Sequence, residues 1–209
     1  MAKETVKAPS RATITKITVF VILPIVLVLV VFYLYRQYFF GSNFINKTIL
    51  RKDMQFKYFT FDEFDSKADK EDIDSGLSWY YRNNYKYLTN SGKNNFSSDT
   101  ILMLDKARDI IEKEYNSIGT NKIYFAINSG YRTDAHNESV GGKTNSAHRN
   151  KDGAKAKAVD IAWGNYNNAQ KEIIKEALKR VGFNRIGIAN SFIHVDNDLT
   201  LPNPANWTY

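Results

Sequence analysis

With 209 residues, a net charge of +7, three histidines and no cysteine, the chain has room for one ordinary domain plus an appendage, and it excludes thiolate chemistry. The positive charge does not indicate a nucleic-acid partner. It lies in residues 1–52, where Lys3, Lys7, Arg11, Lys16, Arg36, Lys47, Arg51 and Lys52 stand against Glu4, and the remainder of the chain is neutral.

Residues 1–16 read as a basic tail. Residues 17–35 run for 19 positions without a charge. As a helix rising about 1.5 Å per residue, that stretch covers roughly 28 Å, close to the hydrocarbon thickness of a bilayer. Tyr33, Tyr35 and Tyr38 suit the aromatic belt at one end, so the anchor is placed at 17–38. A cleaved signal peptide is the competing reading, but the apolar run is long and no small-x-small site follows it. All-round aliphatic character also argues against a buried core helix. The expected partner of this segment is a lipid bilayer. Basic residues flank both ends, so the positive-inside count is tied.

Residues 39–57 read as a juxtamembrane linker and 58–209 as the folded domain. The charge-dense run 62–74 is expected as solvated surface, and 80–95, rich in Tyr, Asn and Lys, as irregular structure. A helix is predicted after Ser97-Ser98, with Ser98 as its cap and Ile101, Leu104, Ala107, Ile110 and Ile111 at helical spacing. Alternation over 122–128 predicts a strand. A short helix over 134–140 ends at Gly141-Gly142, and 158–163 is a second strand. Residues 168–181 form an amphipathic helix stopped by Gly182, and 185–189 with 192–195 form a hairpin around Asn190. This order predicts an α+β domain with a small antiparallel sheet flanked by helices.

Chemistry concentrates in four short motifs: Ser129-Gly130-Tyr131-Arg132, Ser146-x-His148, Ala158-Val159-Asp160-Ile161 and Phe192-Ile193-His194-Val195-Asp196. Two imidazoles and a carboxylate offer Zn²⁺ three ligands and leave a fourth position for water, which is the catalytic rather than the structural pattern. In this order the motifs closely resemble the zinc D-alanyl-D-alanine carboxypeptidase family, which includes phage endolysin peptidases, in its branch ending in His-x-Asp. Hedgehog signalling domains are similar in fold.

The resemblance implies that His148, Asp160 and His194 are the metal ligands of a Zn²⁺ cofactor. It implies that Arg132 grips a substrate carboxylate or carbonyl and that Ser146 supports the ligand loop. His136 matches no ligand position and reads as a loop or supporting histidine. Two departures stand out. The interval from His148 to Asp160 is longer than the family's usual spacing, and the excess, 149–155, has the composition of a surface loop. Ser191 and Phe192 stand where many members place a catalytic glutamate or histidine. Asp196, two residues along the strand from His194, is the candidate proton acceptor, with support of the His194 ring as its other possible role.

The function implied is a membrane-anchored zinc metallopeptidase acting on peptidoglycan stem peptides or crosslinks, with its domain facing the periplasm or wall. The setting is a host envelope or a phage virion membrane. The alternative is a catalytically inactive zinc-binding module that tethers a membrane to the wall or to a partner.

Overall fold

The computed structural model describes Val30 and residues 56–209. The expected basic tail (1–16), anchor (17–38) and linker (39–57) lie outside these residues, apart from Val30, Phe56 and Lys57. Among the described residues, no helix is long and apolar enough to cross a membrane.

A 3-10 turn at Phe61–Phe64 opens where Thr60 N donates to the Glu63 carboxylate (2.9 Å). Helix α1 (Lys70–Asp74) is capped by the Asp69 carboxylate, which accepts from Asp72 N. Strands β1 (Trp79–Arg82) and β2 (Tyr85–Leu88) form an antiparallel hairpin. Helices α2 (Ser91–Asn95) and α3 (Ser98–Ile111) follow, and a π turn at Glu112–Asn116 prolongs α3. Then come β3 (Ala126–Ser129), α4 (Asp134–Ser139), β4 (Ala158–Ala162) and α5 (Asn168–Arg180). The chain closes with β5 (Arg185–Ile188), β6 (Phe192–Asp196) and β7 (Ala205–Thr208).

Five strands form one sheet in the order β3-β4-β6-β5-β7. Successive side chains on a strand point to opposite faces. One face carries Val159, Ile161, Ile186, Ile193 and Val195. These join Ile101, Leu104 and Ile111 of α3 and Ile174, Ala177 and Leu178 of α5 in a single buried cluster. A fully buried aliphatic side chain contributes roughly 1.5–3 kcal/mol, so this face is what holds sheet and helices together. The alternate positions, Asp160, His194 and Asp196 among them, are thereby committed to the other face.

The α+β architecture agrees with the expectation, and five points differ from it, the first being that the strand expected at 122–128 runs only over Ala126–Ser129. The sheet is not wholly antiparallel, because β7 joins β5 in parallel. Its residues, Ala205-Asn206-Trp207-Thr208, do alternate apolar and polar, but the run is only four residues long and follows Pro202 and Pro204, and it is not among the expected strands. Residues 80–95 are not irregular. Tyr80 stacks on Tyr87 across the hairpin (5.8 Å between rings), and Asn83 takes the left-handed conformation (φ 55°) that a two-residue turn requires. The 62–74 run is not all solvated surface, since Phe64, Asp65, Ser66 and Asp72 are buried. The α3 cap is Ser97 rather than Ser98, with Ser97 Oγ accepting from Thr100 N.

Candidate metal centre

A single register row crosses the whole sheet. Ser129 pairs with Asp160, Asp160 with His194, His194 with Gly187, and Gly187 with Trp207. Because the pleat sends every member of a row to the same face, the carboxylate of β4 and the imidazole of β6 are neighbours by construction. His148 arrives from outside the sheet. Its loop is pinned by Arg132 N donating to His148 O (2.8 Å) and by Lys157 N and Ala158 N donating to Ala147 O (2.8 and 3.1 Å). His148 N donates to Ser146 Oγ (3.3 Å), which places Ser146 as a support of that loop.

His148 Nε2 lies 3.2 Å from Asp160 Oδ1 and 3.2 Å from His194 Nδ1, and His194 Nδ1 lies 2.8 Å from Asp160 Oδ1. All three residues are buried. The outer ring nitrogens fix the tautomers. His148 Nδ1 must donate to Gly130 O (2.6 Å), and His194 Nε2 faces Asp196 Oδ2 (3.2 Å). In the neutral rings both inner nitrogens then present lone pairs to each other and to a carboxylate oxygen. Three electron-rich atoms converging without a donor call for a cation. Gly130 is part of the device: a Cβ there would sit 2.6 Å from Phe64 Cα, so only glycine lets its carbonyl approach His148.

The titration behaviour follows the same geometry. Burial lowers the His148 pKa, a change that Asp160 offsets only in part. Burial alone would also lower His194, but its hydrogen bonds to Asp160 and Asp196 carry it upward. Burial would raise Asp160, yet His148 and His194 hold it well below the usual carboxylate range.

Arg132 sits at the edge of this group, donating through Nη2 to Asp160 Oδ2 and through Nε to Ser129 Oγ (2.8 Å). Asp196 stands behind His194, on the Nε2 side, away from the converging atoms. Both its oxygens accept from Arg185 Nε (2.9 and 3.1 Å), and Oδ1 also accepts from Asp198 N (3.0 Å). Its carboxylate contacts are thus the His194 Nε2 edge, Arg185 and the Asp198 backbone. His136 is buried but apart from the group, its Nδ1 paired with Ser66 Oγ (2.9 Å). The extra residues between His148 and Asp160 form a small exposed turn, closed by Lys151 and Ala154 around left-handed Asp152 and Gly153. Two contributors went unnoticed in the sequence. Arg185 could have been found from its register opposite Asp196, but Trp207 lies on the unpredicted strand.

A model of the Peptidase M15 family matches residues 84–196, more than half of the chain, and the match includes Arg132, His148, Asp160 and His194. The chain belongs to the Peptidase M15 family. No curated protein and no solved structure matched it. Peptidase M15 enzymes are zinc-dependent peptidases of the D-alanyl-D-alanine carboxypeptidase and endolysin type, and the family implies a peptidoglycan-type substrate.

The residues present fit that metal. His148, Asp160 and His194 each offer a ligand atom, all within 4.8 Å of one another, and two imidazoles with one carboxylate are a borderline donor set suited to Zn²⁺. Both imidazoles are already held at their outer nitrogens, as ligating histidines almost always are.

Proposed function

We propose that this Peptidase M15 protein is a membrane-anchored zinc metallopeptidase that hydrolyses peptide bonds of bacterial peptidoglycan. The convergence of His148 Nε2, Asp160 Oδ1 and His194 Nδ1 carries the reading. Zinc, when bound, supplies a Lewis acid that polarises a carbonyl and makes water nucleophilic near neutral pH. His148, Asp160 and His194 would hold it. Arg132, anchored by Asp160 and Ser129, makes no hydrogen bond from Nη1 to any described residue. That nitrogen would take the substrate carbonyl or carboxylate. Asp196 would keep the His194 ring turned with Nδ1 inward. The membrane part rests on the uncharged run at 17–35 and the basic residues on both sides of it. With that anchor the domain, residues 58–209, would face the wall from the periplasmic or outer side, in a host envelope or a phage particle.

The placement of Asp196 favours a second reading, a zinc-binding module without peptidase activity. It puts the expected carboxylate base behind His194, and no further carboxylate joins the group among the described residues. One experiment separates the two. The full chain, purified in detergent and loaded with zinc, is incubated with purified murein, and the products are read by amino-group release and mass spectrometry. The peptidase reading expects new amino termini that disappear with a chelator and in His148→Ala. Zinc binding without release, beside an active control enzyme, would leave the module.

A further inference from the structure

Strand β7 lies beyond the family match, which ends at residue 196, yet it delivers a side chain to the metal face. Trp207 stands in the same register row as His194, two strands away, and the residue between them is Gly187. The missing side chain is what lets them meet. A Cβ on Gly187 would fall 2.5, 2.6 and 2.7 Å from Cε2, Nε1 and Cζ2 of the indole, so the indole lies across the glycine backbone. From there its ring reaches His194, with centroids 5.3 Å apart. The His148 ring flanks His194 as well, with centroids 5.0 Å apart. Arg185 ties the arrangement together. Its guanidinium lies 5.5 Å from the Trp207 ring centre, and its Nε holds Asp196, which holds His194 Nε2.

Histidine χ2 is a soft, roughly two-fold torsion. A flip of the His194 ring exchanges Nδ1 for a carbon and takes the ligand atom away from Asp160. Hydrogen bonding to Asp196 opposes the flip from the ring's outer edge, and Trp207 opposes it by packing against the ring. We propose that Trp207 is a positioning residue for His194, so that the affinity of the centre for zinc depends on a strand outside the family match. This rests on the metal reading above.

The test uses the full chain in detergent, stripped of metal. Zinc affinity is measured by competition with a chromophoric chelator, and the His194 tautomer by long-range nitrogen-proton NMR. Removing a group that orients a metal ligand typically weakens metal binding about 10–100-fold, and a loss of that size is expected for Trp207→Ala. Trp207→Phe, which keeps a ring, should bind within a few-fold of the parent. Gly187→Ala should behave like Trp207→Ala although the tryptophan is present, because its Cβ displaces the indole. The parent should show one tautomer, protonated at Nε2, and the two disruptive variants a mixture.

Trp207→Ala that folds, judged by circular dichroism, binds zinc like the parent and keeps a single tautomer would overturn the proposal. If that variant does not fold, the same outcome in Gly187→Ala overturns it. A parent chain that fails to bind zinc refutes the metal reading instead, and the tautomer measurement on the metal-free protein still decides the role of Trp207.

Discussion

His148 Nε2 and His194 Nδ1 stand 3.2 Å apart, with Asp160 Oδ1 within hydrogen-bond distance of both. Each ring turns its other nitrogen to a fixed acceptor, Gly130 O or Asp196. The geometry suits a cation, so metal binding by this group should couple to stability. Zinc should therefore raise the unfolding temperature of the parent chain. Ligand at 100 times its Kd adds about 2.7 kcal/mol. His148→Ala or His194→Ala should abolish that shift, read by thermal scanning at fixed zinc.

Arg185 and Asp196 are a buried ion pair, with side chains 12% and 1% exposed. Removing one partner of such a pair leaves an uncompensated charge and costs about 3–5 kcal/mol. Arg185→Met should lower the unfolding free energy, read from urea titrations, by that much. Arg185→Met combined with Asp196→Asn should recover part of it, which a double-mutant cycle measures directly.

The turn at Asp152 and Gly153 is exposed and remote from the ring contacts of His148. Inserting two glycines between these residues should leave zinc affinity within a few-fold of the parent. Doubling a loop's length costs only about 0.6 kcal/mol in closure entropy, so the unfolding temperature should move by a few degrees at most. A large loss of affinity would show that the long interval before Asp160 is itself part of the centre.

His136 supplies a pH dependence. Burial first, and then the nearby charges of Arg132 and Lys67, push its pKa down to about 4. The unfolded chain takes up this proton near pH 6.5 and the folded chain only near 4, so between those values the unfolded state binds more protons. Stability from this residue is present above about pH 6.5 and is lost as the pH falls towards 4, by up to about 3 kcal/mol. Asp72 acts oppositely. Burial and the neighbouring Asp69 raise its pKa to about 7, so its folded form keeps a proton that the unfolded form has lost, and its contribution fades as the pH rises. The contribution of His136 is therefore isolated by comparing the parent with His136→Gln in denaturant titrations at pH 4.5, 5.5 and 7. Parallel pH curves for the two proteins would disprove it.

What the sequence determined by itself was local. The apolar periodicity of 168–181 and the stop at Gly182 marked α5 to within a residue, and the short runs at 158–163 and 192–195 marked β4 and β6. Period and capping are properties of neighbouring residues, so they survive without a fold. The motif order also named His148, Asp160, His194 and Arg132, the residues the structure brings to one face. What only the tertiary structure decided was everything set by register between distant strands. Asp196 lies behind the His194 ring because Arg185, its partner across β5 and β6, draws its carboxylate there. Trp207 reaches His194 because a parallel strand that begins nine residues after Asp196 aligns it with a glycine. A weakly apolar segment acquires strand structure from the edge it completes, and its own sequence carries no record of which edge that will be.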